Sequence, residues 1–412
     1  MKEKTLKNRG FGLFLVIVIS ATSILSVTQT TSAATSSKIK LYNFIKLAVQ
    51  ATGLEVETTY LNAALKAGIV KEGDFSDYSK YTTRTDASLI LNRADEYLHG
   101  DTMDADLLDT VLTKRISDIS KVDKDKREAV AKIYAKGFMK GYSNGYYIQN
   151  REFRGSEYMT TAGSKNVVSM LKDTKKRAKL SPDGQLIRTT NLPKNAKMYD
   201  YILETYPNSF YELKFSYQRG TYSWEPKEGF DYARPARVTE TMSKIEIDET
   251  GMCIYANDWM KKVEDNLKYR LNVDYRTIDN TWLNNLRSTY FVANIATLDK
   301  EQTDQIKEYI KDVKKNKVVI KSSIISVEPS TLYKHVGGYQ VRAYVKFKIS
   351  FPAEKKLQND LFFGTTRFVD LTRDKWFDGV YDIEIGTKNI GSNGSDFAVS
   401  DDTLNDYYYK GK

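Results

Sequence analysis

The stretch Gly137–Phe138–Met139–Lys140–Gly141–Tyr142–Ser143–Asn144–Gly145 lies between two apolar patterns with helical spacing, Arg127–Phe138 before it and Met159–Leu171 after it. Glycine ends helices in the left-handed region and tolerates positive φ in tight turns, so this order spells a helix, a Gly-Tyr-x-x-Gly turn and a second, polar-capped helix. The plan recurs upstream. An apolar helix over Tyr60–Ile69 ends near Gly68, a turn-rich loop follows, and a second helix over Thr82–Tyr97 starts at a cap provided by Thr83 or Thr85. Ile39–Leu54 reads as the second helix of a further copy whose first half is missing or reshaped. Such internal repetition implies modules that bury their faces against one another.

Outward from this block, the helical modules occupy residues 36–175. Residues 176–197, with the turn Ser181–Pro182–Asp183–Gly184 and the pair Leu192–Pro193, read as a linker. From 198 to 412 the chain turns aromatic. Helices are expected near Lys261–Leu271, Thr277–Leu286 and Lys300–Lys314. Strands follow over Lys317–Val327, Tyr339–Phe351, Leu361–Leu371 and Phe377–Gly386. In the second strand Val341, Ala343, Val345, Phe347 and Ile349 alternate with Arg342, Lys346 and Lys348, which predicts an antiparallel sheet with one wet, basic face. Helices followed by such a sheet make an α+β domain.

Residues 1–34 carry Lys2, Lys4, Lys7 and Arg9, an apolar run from Phe11 to Val27 and the small-residue segment Thr31–Ser32–Ala33–Ala34, the order of a cleavable secretory signal peptide. Export is therefore expected. No later stretch is long and apolar enough to span a bilayer, so no stable membrane anchor is expected after cleavage. The single cysteine, Cys253, cannot form an internal disulfide, and the exported chain must hold together by burial. The formal charge is +10, and losing the N-terminal segment leaves it positive. A cationic exported protein is biased toward anionic wall polymers, and export argues against nucleic acid as a partner.

The order of Ile116–Ser117–Asp118–Ile119, Gly141–Tyr142–Ser143–Asn144–Gly145 and a Thr-Arg cap such as Thr82–Thr83–Arg84–Thr85–Asp86 resembles the S-layer homology family. Its members anchor exported proteins to the cell wall. The resemblance implies that the cap arginine, with turn residues, meets an acidic sugar of the secondary wall polymer or peptidoglycan. A guanidinium suits that task because it grips carboxylate through two parallel hydrogen bonds. Arg84 is the leading site residue by this resemblance, with Thr83, Gly141, Tyr142 and Gly145 beside it. Asp86 reads as the capping-box partner of Thr83, and both glycines as turn-formers with positive φ. All three units depart from the pattern, and the Arg84 unit does so by carrying Gly73–Asp74–Phe75 in place of the Gly-Tyr-x-x-Gly turn. Thr161 stands where the later unit would carry the arginine, and the leading copy, around Ile39–Lys40–Leu41, lacks it too.

Catalytic motifs are not legible. His99 and His335 are far apart in sequence and lack metal-site context, Cys253 reads as a buried structural thiol, and Asp123–Lys124–Asp125 lacks the remaining features of a calcium loop. No metal or cofactor is expected. Tyr199, Tyr201, Tyr206, Phe210, Tyr211, Trp224 and Phe230 suit either sugar stacking or a core. The expectation is a non-enzymatic envelope protein, Gram-positive in type, whose C-terminal domain binds a ligand or partner. The alternative is a wall-associated hydrolase with its site in that domain, where Glu225, Glu228, Asp258 and Glu264 are unranked carboxylates.

Overall fold

Leu41, Phe44, Ile45, Ala48 and Val49 recur at helical spacing, and burying that stripe winds Leu41–Thr52 into helix α1, which ends at Gly53 with φ 77°. Helix α2 (Tyr60–Lys66) is capped by the Thr59 hydroxyl. Helix α3 (Arg84–His99) starts on a complete capping box. The Thr83 hydroxyl accepts from the Asp86 amide, and the Asp86 carboxylate accepts from the Thr83 amide. Helix α4 (Ala105–Thr110) continues into a π-helical turn over Val111–Arg115, and α5 (Arg127–Ala135) and α6 (Thr161–Ser169) complete the helical region. Its core is continuous, with Phe44, Ile90, Val130, Ile133 and Phe153 fully buried within it.

The computed structural model describes residues 37–213, 256–291, 296–335, 338–352, 361–364, 366–367, 371–386, 397–401 and 404–405. The expected signal peptide, Cys253, Trp224, Glu225, Glu228 and Phe230 lie outside them. The described residues from Lys38 onward form one compact unit.

Gly137 shows why a glycine closes the helix before the Gly-Tyr-x-x-Gly turn. Its φ is 75°, and a Cβ there would lie 2.1 Å from the Ala178 carbonyl oxygen, so residues 176–178 cross directly over it. The crossing is fixed by the Ala178 amide donating to the Gly137 carbonyl at 2.9 Å. Further along the segment read as a linker, Asp183 accepts from buried Arg115 at 2.7 Å, and the Arg188 amide donates to the Ile202 carbonyl at 2.7 Å. Residues 176–197 are thus bonded into the fold along their length.

The last helix of this run is the short α7 (Asn208–Glu212). In the C-terminal region α8 (Ala256–Arg270), α9 (Asn280–Arg287) and α10 (Ala296–Lys315) precede the main strands. Five strands pair antiparallel in the order β3 (Val273–Asp274), β4 (Val319–His335), β5 (Gly338–Ser350), β7 (Phe377–Gly386) and β8 (Ala398–Asp401). Of the expected Leu361–Leu371 strand only β6 (Thr366–Arg367) forms among the described residues, and it pairs parallel with β9 (Leu404–Asn405). Register shifts at Ser322/Ile324 and Glu328/Tyr333 curl the β4–β5 ribbon. The helices cover one face, where Trp259, Leu267 and Ile306 pack on Val341, Val345 and Phe347.

The opposite face corrects the expectation of a uniformly wet, basic surface. Lys346 and Lys348 are partly exposed, but Arg342 is fully buried. The stretch 199–213 folds over that end of the sheet and places Tyr206, Phe210 and Tyr211 in a second core with Tyr344. Arg342 pairs with buried Asp382 at 2.8 Å and donates to the carbonyls of Phe210 and Leu213.

Candidate functional site

The segments entering α1, α3 and α6 meet in a closed ring. The Thr82 amide donates to the Ile39 carbonyl at 3.0 Å, the Ile39 amide to Met159 at 3.1 Å, and the Met159 amide to Thr82 at 2.8 Å. Each residue sits two positions before the first residue of its helix, so Leu41, Arg84 and Thr161 occupy corresponding places around the ring. The ring residues point inward and are buried. Their sequence neighbours form an outer rim in which Tyr81 and Tyr158 meet edge to face at 5.8 Å, with the Lys38 ammonium 4.2 Å over Tyr158 and that of Lys40 4.2 Å over Tyr81.

Arg84 projects from the first turn of α3 toward the loop 141–157. Its Nε donates to the Phe153 carbonyl at 2.8 Å. Its guanidinium carbon lies 4.7 Å from the Phe153 ring centre and 5.4 Å from that of Tyr142. This packing desolvates the cation and lowers its pKa from the usual arginine value, while Tyr142, Glu157 and Asp118 act in the opposite sense. Arginine nevertheless stays charged. Among the described residues Nη1 and Nη2 carry no hydrogen bond and Arg84 forms no ion pair.

The cations and anions around it are otherwise matched. Arg154, held at φ 56°, pairs with Glu152 at 2.9 Å and approaches Glu157 at 3.6 Å, and its guanidinium lies 4.1 Å from the Tyr142 ring centre. The Tyr142 hydroxyl donates to Glu157 at 3.0 Å. The Asp118 carboxylate accepts from the amides of Phe153 and Arg154 at 2.7 and 2.8 Å, closing the loop that presents the Phe153 carbonyl to Arg84. Gly141 has φ 64°, and a Cβ on it would lie 2.7 Å from the Glu152 carbonyl oxygen. Only glycine lets β1 (Tyr142–Ser143) approach β2 (Arg151–Glu152) this closely.

Residues 115–160 match the family model of the S-layer homology domain.

No curated protein and no solved structure matches the chain. The S-layer homology segment begins at Arg115, whose guanidinium is tied to Asp183, and ends at Thr160, whose hydroxyl caps α6. Arg84 precedes this segment in sequence but contacts it through Phe153 and Tyr142. Thr83, Arg84 and Tyr142 meet where the α3 entry faces the loop 141–157, Thr83 through its cap and its bridge to Tyr158, and Gly141 directly precedes Tyr142. Gly145 has φ 114° and open space around its α-carbon. It leads into Tyr147, which lies flat on Tyr344 of the sheet at 3.6 Å. Gln149, also in the S-layer homology segment, donates to the Tyr206 hydroxyl and to the Val327 carbonyl.

Sequence reasoning missed Arg154, Glu157 and Phe153 beside Arg84 and Tyr142. The signal available for them was Phe153–Arg154–Gly155, an aromatic and a cation before a glycine. At Gly155 a Cβ would lie 2.4 Å from the Thr85 hydroxyl. Elsewhere, His99 is bonded to the Leu171 carbonyl at 2.9 Å, Asp258 pairs with Lys262, and Glu264 borders a cleft of about 560 Å³ between α8 and β4 that also includes Trp282. Tyr199, Tyr206, Phe210 and Tyr211 are core residues. Among the described residues no cluster of three or more His, Cys, Asp or Glu is placed to hold a metal, and no helix is long and apolar enough to cross a membrane.

Proposed function

We infer that this is an exported, non-enzymatic envelope protein held to an anionic secondary polymer of the cell wall, or to peptidoglycan carrying it, by its helical region. The sheet region then faces a ligand or partner at the wall. The observation that carries this reading is Arg84, a desolvated guanidinium with one edge fixed and two terminal nitrogens without a partner among the described residues. Removing a charge from water is unfavourable unless it is paired. A carboxylate on a sugar supplies the missing partner with two parallel hydrogen bonds, and the Tyr142 ring offers a face to the sugar. The three helix entries around one ring support a reading of the block as three related modules. With leucine and threonine in the corresponding places of α1 and α6, attachment concentrates in the Arg84 cleft.

Co-sedimentation of the full mature chain with purified walls tests the reading. The wild-type chain is expected in the pellet when the walls carry their anionic polymer and in the supernatant when the polymer has been extracted. Arg84→Ala is expected to weaken retention about tenfold, or about 1.4 kcal/mol. Retention unaffected by both polymer extraction and the substitution removes the cleft as the attachment site. A clearing band on a peptidoglycan zymogram would overturn the non-enzymatic half in favour of the hydrolase.

A further inference from the structure

The sheet face turned away from α8–α10 has two halves. One is closed by Tyr206, Phe210 and Tyr211 over Arg342 and Tyr344. On the other, Lys321 of β4 is the direct register partner of Lys348 of β5. Lys346 shares their face because side chains two apart on a strand point the same way. Like charges directly opposite on paired strands repel. Among the described residues none of these three lysines forms an ion pair.

The nearest acids form their hydrogen bonds with other groups. Asp274, beside Lys321, is bound by Arg276, and Asp378, the register partner of Lys346, accepts from the Tyr344 hydroxyl at 3.1 Å. The Lys348 ammonium instead lies 5.1 Å from the ring centre of Trp376, an indole left 48% exposed. A large apolar ring in solvent and a row of cations without ion pairs are each unfavourable alone. One ligand carrying both a sugar face and anionic groups relieves both.

We propose that Lys321, Lys346, Lys348 and Trp376 form a binding strip for a phosphate-bearing saccharide polymer. The indole stacks on a sugar ring while the ammonium groups meet successive phosphates. Spacing supports a linear chain: the lysines stand about 5 Å apart across the strands and about 7 Å apart along β5. Ammonium groups are compact point charges suited to phosphate. A chain fits better than a membrane plane because the row is narrow and the 199–213 cover bounds one end. The strip uses none of the residues of the Arg84 cleft, so it stands whether or not that cleft binds the wall.

The test is binding of the full mature chain to glucosylated poly(glycerol phosphate), with dextran and phosphatidylglycerol vesicles as competing probes. Wild type is expected to bind the polymer, to ignore dextran, and to lose affinity as salt rises. Lys346→Gln with Lys348→Gln should weaken binding at least tenfold and flatten the salt dependence, with an unchanged melting temperature verifying the fold. Trp376→Ala should weaken binding severalfold for the glucosylated polymer and leave the unglycosylated one unaffected. Lys311→Gln, an exposed cation on α10 outside both the strip and the cleft, should bind as wild type does, which separates the strip from net charge. Double-lysine binding within twofold of wild type, equal affinity for dextran, or preference for vesicles over polymer overturns the proposal. A Trp376→Ala chain that holds the glucosylated polymer as wild type does overturns the stacking role.

Discussion

Arg84 in the helical region and Arg342 in the sheet region are both withdrawn from water, yet the protein treats them in opposite ways. Arg342 is fully buried, pairs with an equally buried Asp382 and donates to two backbone carbonyls. Arg84 is half-buried, has one donor fixed to a carbonyl, and lacks an acid partner among the described residues. A satisfied buried charge is a structural element whose removal strands its partner. A partly desolvated one without an acid beside it can be removed without stranding a buried carboxylate. On the proposed reading, the contrast separates the residue that holds the protein together from the residue that holds it to the wall.

The largest expected effect falls on the structural member of this pair. Arg342→Ala leaves Asp382 buried without its arginine and frees the Phe210 and Leu213 carbonyls, at a cost of about 3–5 kcal/mol in chemical denaturation. Arg342→Met together with Asp382→Leu should recover most of that loss, because no charge is then stranded. Arg84→Ala should leave the denaturation midpoint nearly unchanged while retention on walls falls. Equal loss of stability from the two alanine variants would erase the distinction between the arginines.

Next in size is a dependence on pH at the same buried end of the sheet. Glu328 on β4 is fully buried; the Tyr211 hydroxyl donates to it at 3.1 Å, and the Ser330 hydroxyl lies 2.8 Å away. Burial raises its pKa to about 8, and Asp183 adds repulsion. Its register partner Arg342 is committed to Asp382. The folded chain thus keeps a proton that the unfolded chain releases, so stability is greatest below the ordinary carboxyl pKa. It falls as pH rises from about 4.5 to about 8 and levels off above that. The loss should be on the order of a few kcal/mol. Glu328→Gln should flatten the profile across this window, and an unchanged slope would show that Glu328 does not carry it.

How far these features were legible varies with the range of the interaction. Helical spacing placed α1, α3 and α5, the Thr83 capping box was readable from three residues, and strand alternation located β5 and β7, because local sequence determines those elements. The burial of Arg342 was not legible. Alternation put it on the polar side, and its cover comes from Phe210, 132 residues earlier in the chain. The ring of Ile39, Thr82 and Met159 was equally hidden, since it joins three distant helix entries through backbone groups that carry no side-chain signature. At the cleft, Arg84 was visible as a motif residue. That it has no acid partner among the described residues became visible only when Phe153, Arg154 and Glu157 were brought beside it.

The smallest expected effect probes how Arg84 is presented. The Thr83 hydroxyl accepts from the Asp86 amide at 3.1 Å and fixes the first turn of α3, whereas Lys40 at the corresponding position of α1 gives no side-chain cap. Thr83→Ala should cost about 1 kcal/mol of stability. It should also let the first turn fray, so that wall retention weakens less than it does for Arg84→Ala, because the guanidinium remains but is less well aimed. Thr83→Ser keeps the accepting oxygen and should restore both properties. If Thr83→Ala lowers stability without affecting retention, the cap serves α3 alone, and the aim of Arg84 is set by the Phe153 carbonyl on the other side of the cleft.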